Sequence, residues 1–305
     1  MKKLPKIIVI LGPTATGKSG LAVKLARKFK GEVVSADSRQ VYKGMDIGTG
    51  KVTHKEMEGI SHYLLDVASP KNKFTVVQYQ KLALKAINKI LKKGGVPILC
   101  GGTGFYIQAV VDGILIPEVK PDWKLRKKLE KKSNKELYKI LKKLDPKRAG
   151  KIDKENPRRL IRAIEIVLKT KKPIPSLKAK PQFDALFIGI KKSPAELKKS
   201  IKIRFLKWLK QGLIEEVKNL RNPPAGKGLS WKKIEEFGIH YRVVAQYLQK
   251  KIDCETMIEN SLIEIQNYAK RQMTWFKRDR RIHWINPHTK KGFQKVIKLC
   301  KEFLL

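Results

Sequence analysis

The segment Gly12–Ser19, with the sequence GPTATGKS, constrains the fold of this chain more than any other feature. It follows an apolar run at Ile7–Leu11 and precedes a second apolar run at Leu21–Phe29. A glycine-rich loop that joins a strand to a helix and ends in Lys-Ser is typical of a phosphate-binding loop. The alternative is a glycine-rich turn with an incidental lysine, and the full spacing together with both flanks disfavours it.

The residue types of this loop predict how it binds an anion. Glycines let the backbone curl so that several N–H groups point at one phosphate group. We expect Lys18 to reach the outer phosphate oxygens and the Ser19 hydroxyl to ligate Mg²⁺. The residues predicted to bind a diphosphate or nucleotide are Gly12, Pro13, Thr14, Ala15, Thr16, Gly17, Lys18 and Ser19.

Alternation of strand-like and helix-like runs predicts an α/β fold, with a P-loop NTPase-like parallel sheet as its core. Helical runs at Ser19–Lys30 and Val76–Lys93 separate strand-like runs at Ile7–Leu11, Glu32–Ala36, Val96–Cys100, Ala185–Ile190 and Ile282–Ile285. Residues 117–182 are lysine-rich, helical in pattern and bounded by prolines. We therefore expect a core formed by residues 1–116 and 183–305, with an all-helical domain inserted at 117–182.

The charge of the chain points to a polyanionic partner. Among 305 residues, 69 Lys and Arg oppose 27 Asp and Glu, which gives a formal net charge of +42. Such an imbalance causes self-repulsion, and nucleic acid binding is the common reason for it. A lysine-rich solvated surface without a partner is the alternative, and it can account for part of the excess.

Cysteine usage and hydropathy predict the compartment. Cys100, Cys254 and Cys300 are too few and too scattered for a disulfide framework or a zinc site. No apolar run is long enough to span a bilayer, and the apolar residues near the N-terminus continue directly into the phosphate-binding loop. We expect a cytoplasmic protein with no membrane partner.

Polar residues follow three of the predicted strands at their carboxyl ends, where open parallel sheets bind ligands. The second strand leads to Asp37, which can act as a general base or a partner of Mg²⁺. The alternative for Asp37 is a helix cap or an Asx turn. The third strand leads to Gly101–Gly104, whose backbone N–H groups and one hydroxyl, that of Thr103, can face the anion; a tight turn is the alternative there.

Further strings extend over nearly the whole chain in one order. Together with the phosphate-binding loop they are Asp37–Lys51 (DSRQVYKGMDIGTGK), His62–Val67 (HYLLDV), Gly101–Val110 (GGTGFYIQAV), Asn156–Ile166 (NPRRLIRAIEI), Leu213–Val217 (LIEEV) and Tyr268–Phe276 (YAKRQMTWF). In this combination the chain resembles the bacterial tRNA dimethylallyltransferases, which modify the adenine 3′-adjacent to the anticodon. The GMDIGT and AKRQMTWF strings are more specific to that family than the phosphate-binding loop.

The resemblance implies a reaction, partners and residue roles. It implies transfer of a dimethylallyl group from dimethylallyl diphosphate to adenine N6 in the anticodon stem-loop, by a protein we expect to be a monomer. It assigns Asp37 as the base, Thr103 as a contact of the leaving diphosphate, and Lys18, Ser19 and Arg204 as ligands of the diphosphate and its Mg²⁺. The implied tRNA contacts are Asp37, Ser38, Arg39, Gln40, Thr103, Arg158, Arg159, Arg162, Tyr241, Arg242, Lys270, Arg271, Gln272, Trp275 and Lys277.

Two helices carry most of the expected RNA contacts. Asn156 is a good N-cap and Pro157 suits the first position of a helix whose expected apolar stripe is Leu160, Ile164, Val167 and Leu168. Its arginines suit RNA contacts, with a solvated surface as the alternative. In the C-terminal helix, Trp275 between arginines suits stacking on a base. The alternative is that Trp275 is a core residue; the expected apolar stripe of this helix is Ile258, Leu262, Ile265, Ala269 and Phe276.

The chain departs from the family pattern at several positions. Ser200 stands where an arginine is usual, Gln266 also lacks an expected positive charge, and His240 replaces a frequent glycine.

Three other functions compete with the family interpretation. They are prenyl transfer to free adenine nucleotides, which needs no basic helical insertion, phosphoryl transfer by a small-molecule P-loop kinase, and RNA binding by a non-enzymatic NTPase.

Overall fold

The chain forms two compact units in the computed structural model, which describes residues 4–115, 117, 119–174 and 180–305. The first unit comprises Met1–Gly113 and Pro181–Leu305, and the second comprises Ile114–Lys180. The sequence predicts an insertion at residues 117–182. Residue 116, the predicted end of the first core segment, lies outside the described residues.

Within the described residues, the first unit is built on one parallel sheet with the strand order β3-β2-β4-β1-β5-β6. The strands are β1 Lys6–Leu11, β2 Gly31–Ser35, β3 His62–Tyr63, β4 Val96–Gly101, β5 Asp184–Ile190 and β6 Ile282–Ile285. The central strands are nearly continuous apolar runs because helices cover both faces of the sheet. The predicted parallel sheet and its five strands are therefore confirmed, with ends that shift by a residue.

The helices along the chain are α1 Lys18–Lys28, α2 His54–Met57, α3 Val76–Lys92, α4 Gly104–Val111, α5 Trp123–Leu129, α6 Asn134–Leu144, α7 Pro146–Ala149, α8 Pro157–Thr170, α9 Pro194–Lys210, α10 Leu213–Arg221, α11 Trp231–Glu235, α12 Ile239–Leu248, α13 Cys254–Phe276 and α14 Lys290–Leu304. Helices α1 and α14 pack on one face of the sheet, and α3 and α4 pack on the other together with the end of α13. Helices α9 to α13 share a separate apolar core with residues that follow β2. In the parts of the chain that are described, no helix combines the length and apolarity needed to cross a membrane.

Helices α5 to α8 form the second unit around their own apolar core, in which Leu137, Leu141 and Ile164 are fully buried. The predicted start of α8 is confirmed, because the Asn156 side chain caps the helix by accepting a hydrogen bond from the Arg159 N–H at 3.2 Å. The predicted apolar stripe is wrong at Leu168, which is 44% exposed. Leu168 lies one position beyond Val167, outside the arc that faces the core.

Candidate active site

Polar residues meet at the carboxyl ends of β1, β2 and β4, which are neighbours in the sheet. The residues after β2 and β4 are joined by two hydrogen bonds. The Ser38 N–H donates to Thr103 Oγ1 at 3.0 Å, and the Thr103 N–H donates to the Ala36 carbonyl at 3.1 Å. These contacts hold Thr103 beside the Asp37–Ser38 segment, as the strand-end argument predicts.

The phosphate-binding loop, Gly12–Ser19, needs glycine at its two bends. Gly12 has a φ of 141°, and a Cβ there would come within 2.7 Å of the Ile190 carbonyl oxygen at the end of β5. Gly17 has a φ of 86°, and a Cβ there would come within 2.7 Å of the His288 ring. Both positions therefore combine a backbone conformation and a close approach that other residues cannot adopt without strain.

Two side chains from distant parts of the sequence support this loop. Gln272 on α13 accepts a hydrogen bond from the Thr14 N–H at 2.8 Å and donates from Nε2 to the Gly102 carbonyl at 2.9 Å. His288, before α14, lies with its Nε2 2.8 Å from the Thr16 carbonyl oxygen. The loop after β1 is thus tied both to the turn after β4 and to the C-terminal segment.

Two cations, Lys18 and Arg204, lie half-buried in the site. Lys18 Nζ donates to the Pro13 carbonyl at 2.6 Å, and burial lowers the pKa of Lys18 to about 8. Arg204 on α9 donates to Thr14 Oγ1 and stacks 4.5 Å from the centre of the Trp208 ring. Burial lowers the pKa of Arg204 to about 10. Desolvated cations beside exposed backbone N–H groups favour the binding of an anion.

Asp37 belongs to the same electrostatic environment, because its carboxylate offsets part of the lowering that burial causes in the pKa of Lys18 and of Arg204. Its Oδ1 accepts hydrogen bonds from the Arg39 N–H at 2.8 Å and from the Gln40 N–H at 3.4 Å. The Asx turn that the sequence offered as an alternative is therefore present. Oδ2 makes no hydrogen bond to the part of the chain that the structure describes, so one carboxylate oxygen remains free to accept a proton.

The residues around Lys18 and Ser19 fit a Mg²⁺ ion that is bound mainly by its substrate. Ser19 is exposed in the first turn of α1, next to Lys18. Among the described residues, no group of three His, Cys, Asp or Glu side chains could hold a metal ion by itself. Mg²⁺ commonly keeps several waters and combines one or two protein ligands with phosphate oxygens, and a single hydroxyl is compatible with that chemistry.

The residues predicted to contact tRNA fall into two groups. Some already use their polar atoms inside the protein. Gln272 is 6% exposed and spans two loops, Tyr241 is buried and donates to Glu216 at 2.8 Å, and Gln40 donates to the Gly50 carbonyl at 3.1 Å. Trp275 packs so closely on Gly104 that a Cβ at Gly104 would come within 2.2 Å of the indole.

The second group is exposed and keeps its charges at the surface. On α13 and at its end, Lys270, Arg271 and Lys277 are exposed, as are Arg158 and Arg159 on α8. Within this group, Arg159 lies 3.7 Å from Asp153. Two other predicted arginines pair with carboxylates inside the protein: Arg162 binds Glu165, and Arg242 pairs with Glu264. The remaining predicted contacts, Ser38 and Arg39, are half-buried beside Asp37.

Sequence reasoning missed the role of Glu216 in α10. Its carboxylate accepts hydrogen bonds from the backbone N–H groups of Asp46 and Ile47 at 2.7 Å each and of Gly48 at 2.9 Å, and from Tyr241. Glu216 therefore fixes the conformation of the GMDIGT string. A carboxylate in the first turn of a helix in so basic a chain was the available signal, but the sequence does not reveal its distant partners.

Comparison with known proteins gives the family. A model of the IPP transferase family matches residues 40–279. A tRNA dimethylallyltransferase of Acetivibrio thermocellus is 40% identical over 310 residues, which cover 99% of this chain and 98% of the relative. The chain belongs to the IPP transferase family. The resemblance carried by the sequence strings is thereby confirmed.

Solved structures of IPP transferases agree with this assignment. The full-length tRNA isopentenylpyrophosphate transferase of Bacillus halodurans matches with a TM-score of 0.72 and 33% identity, over 98% of this chain and 96% of that one. A eukaryotic dimethylallyltransferase described as acting on tRNA matches with a TM-score of 0.82 and 28% identity, over 98% of this chain and 79% of that one. The match to the IPP transferases thus includes both the sheet and the sequence segment of the helical unit.

Proposed function

We propose that this chain transfers a dimethylallyl group from dimethylallyl diphosphate to N6 of the adenine 3′-adjacent to the anticodon in tRNA, and releases diphosphate. The observation that carries the proposal is that Asp37 follows β2 at the sheet edge where the phosphate-binding loop follows β1, and that Lys18 and Arg204 both bind residues of this loop. That arrangement offers a proton acceptor and an anion site together. The similarity to tRNA dimethylallyltransferases supports the tRNA acceptor and the prenyl group.

Departure of the diphosphate is assisted by the phosphate-binding loop. As the bond between the prenyl C1 and the diphosphate oxygen breaks, negative charge grows on the leaving group. Lys18, Arg204 and the loop N–H groups stabilise that charge, and their low hydration makes each contact stronger than it would be in water. We assign the Thr103 hydroxyl, which accepts a hydrogen bond from the Ser38 N–H, as a further contact of the same group. A Mg²⁺ ion held by the diphosphate and Ser19 would neutralise part of the charge of the leaving group.

Asp37 activates the adenine amine that accepts the prenyl group. The exocyclic amine of adenine is a weak nucleophile, and a carboxylate that accepts its N–H hydrogen favours attack on C1. The N6–C1 bond forms, the C1–O bond breaks, and the proton passes to Asp37. The Asx turn holds Oδ1 against two backbone N–H groups, so the turn orients the carboxylate while Oδ2 serves the amine. No covalent intermediate with the enzyme is needed, and positioning of the two substrates is the main contribution of the protein.

The charge of the chain suits an RNA acceptor. To reach Asp37, the adenine must leave the base stack of the anticodon loop, which costs a few kcal/mol. Contacts with the RNA backbone can compensate for that cost, and a net charge of +42 makes them available. The exposed lysines and arginines of α8 and α13 are our proposed phosphate contacts. We also propose a cytoplasmic location, where tRNA is found, and the monomeric state stays a prediction.

The direct test is incubation of the purified chain with dimethylallyl diphosphate labelled in the prenyl group and unmodified tRNA, followed by nucleoside analysis. We expect label in one adenosine per acceptor tRNA, in a reaction that needs Mg²⁺. Parallel reactions offer AMP, ADP and ATP as acceptors, and a further reaction offers labelled ATP as a phosphoryl donor. Label in free nucleotides but not in tRNA, or phosphoryl transfer without prenyl transfer, contradicts the proposal.

A further inference from the structure

Lys192 follows the last residues of β5, next to the phosphate-binding loop. It lies two residues after the end of β5 at Ile190, and β5 is the neighbour of β1. The Ile190 carbonyl oxygen and Gly12 approach each other so closely that a Cβ at Gly12 would lie 2.7 Å from that oxygen. The chain after β5 therefore starts against the first residue of the loop.

The Lys192 ammonium is held between the loop and α9. Its Nζ donates to the Ala15 carbonyl at 3.3 Å and to the Ser200 hydroxyl at 2.8 Å. Lys192 is half-buried, and Ala15 is itself a loop residue with a positive φ of 62°. Both acceptors are neutral. An ammonium group has three N–H donors, so these two contacts neither use all of them nor neutralise the charge.

Acidic groups near Lys192 do not neutralise it either. Among the described residues, Lys192 has no carboxylate within ion-pair distance. Glu196 is near enough for Lys192 to contribute to its lowered pKa, after the hydrogen bonds of Glu196 with Ser193. The Glu196 carboxylate accepts from the backbone N–H and the hydroxyl of Ser193 at 2.8 Å each, in the capping box of α9. The positive charge of Lys192 therefore acts on the phosphate-binding loop.

We infer that Lys192, held in place by Ser200, is a third cation of the diphosphate site beside Lys18 and Arg204. The inference rests on the proposed function, since it names a further residue for the same anion. It also gives a reason for Ser200: a hydroxyl at this position accepts a hydrogen bond from the ammonium, whereas an arginine side chain would repel it. The charge that the sequence pattern leads one to expect at position 200 is supplied by position 192.

The test is the affinity of the full chain for inorganic diphosphate with Mg²⁺, measured by isothermal titration calorimetry. We expect Lys192→Met to weaken binding about tenfold, which corresponds to the loss of one charge-assisted contact, and Lys192→Arg to stay within about threefold of wild type. Lys191→Met is the matched control, because Lys191 is an exposed neighbour with the same charge. Its affinity should stay within about twofold, since the solvent screens its charge.

A second variant separates charge from loop support. In the Lys192→Met background, Ser200→Arg returns a cation to the same place without the hydrogen bond to Ala15, and we expect it to recover most of the lost affinity. Steady-state kinetics of Lys192→Met should show a higher KM for dimethylallyl diphosphate and an unchanged Kd for tRNA. Wild-type affinity in Lys192→Met, equal weakening in Lys191→Met, or no recovery with Ser200→Arg overturns the inference. A wild-type chain that binds no diphosphate overturns the proposed function itself.

Discussion

Asp37 shows how a single side chain can satisfy two interpretations that the sequence leaves as alternatives. As the residue after a buried strand, it is equally suited to a turn and to proton transfer. In the structure Oδ1 accepts the hydrogen bonds of the turn, and the Asp37 charge offsets part of the lowering that burial causes in the pKa of Lys18 and Arg204. The sequence could predict the position of the carboxylate at the strand end. It could not predict that one oxygen would be occupied and the other free.

Two substitutions at Asp37 separate these roles. Asp37→Asn keeps an oxygen that can accept from the Arg39 and Gln40 N–H groups but cannot take a proton. We expect it to reduce kcat by about 10²- to 10⁴-fold, the usual contribution of a general base, and to leave tRNA affinity within a few-fold. Asp37→Ala loses the turn as well, so its unfolding midpoint should be lower than that of Asp37→Asn. Turnover of Asp37→Asn at the wild-type rate would remove Asp37 from the chemistry.

The lowered pKa of Lys18 predicts how diphosphate binding depends on pH. Burial brings this pKa from its ordinary value of 10.5 to about 8, and the protonated form is the one that attracts an anion. The contribution of Lys18 to the affinity for inorganic diphosphate should therefore be constant below about pH 8 and fall above it, by up to about tenfold per pH unit. A bound anion favours the charged lysine, so the decline ends where the pKa of the complex is reached.

The measurement is the Kd for inorganic diphosphate between pH 7 and pH 9.5, each value chosen around the Lys18 pKa of about 8, at constant ionic strength. The matched control is Lys18→Gln, which has no titrating group at this position. Its affinity should be weaker than that of wild type and should change with pH only as the diphosphate itself titrates, so the ratio of the two Kd values isolates the contribution of Lys18. If wild type and Lys18→Gln declined in parallel, another group would be responsible for the pH dependence.

Helix α8 shows what helical spacing can and cannot predict. Its cap, its first residue and most of its apolar face follow from local sequence. The use of its arginines does not, because Glu165 is fully buried and binds both Arg162 and Arg126 of α5. Burial would raise the pKa of Glu165, but hydrogen bonds from Arg126, from the Asp122 N–H and from Arg162 lower it to about 2. A buried carboxylate with two guanidinium partners is a packing feature of the helical unit.

We therefore expect the arginines of α8 to divide by function. Arg162→Ala leaves Glu165 with one fewer partner and should reduce the free energy of unfolding by about 1–3 kcal/mol, as measured by urea denaturation. Arg158→Ala removes an exposed charge and should change stability by less than about 0.5 kcal/mol. It should weaken tRNA binding and reduce its salt dependence. A loss of tRNA affinity in Arg162→Ala at unchanged stability would contradict this division.

Short strands and contacts between distant segments could not be predicted from the sequence. The five longer strands were predictable from their apolar runs, whereas β3 consists only of His62 and Tyr63 and has no run to detect. Gln272 lies in a helix whose spacing indicates an exposed basic face. In the structure its amide joins the phosphate-binding loop to the turn after β4, across a separation of 258 residues from Thr14. Contacts of that kind depend on the assembled fold, and no local pattern encodes them.

At the scale of the whole molecule, net charge is the property that the sequence predicts most directly. The net charge indicates the kind of partner that the protein binds, and it says little about the fold. The described ion pairs are few compared with 69 basic residues, so most of the positive charge is not neutralised by acidic side chains. The anion site itself uses a small part of this charge. The rest is available for a long polyanion, and it should set the salt dependence of tRNA binding.

That expectation can be tested by measuring tRNA binding at several salt concentrations. Between 50 and 200 mM salt, tRNA affinity should fall by roughly a hundredfold or more, because each phosphate contact releases counterions. Lys270→Ala should lower the slope of log Kd against log salt by about one, as expected for one lost phosphate contact. Lys298→Ala on α14, a lysine that is 77% exposed and lies 3.8 Å from Glu302, is the control and should keep the wild-type slope. A tRNA Kd that did not change with salt would mean that the exposed basic residues do not bind the RNA phosphates. Salt ions compete with such residues for the phosphates, so binding through them must weaken as the salt concentration rises.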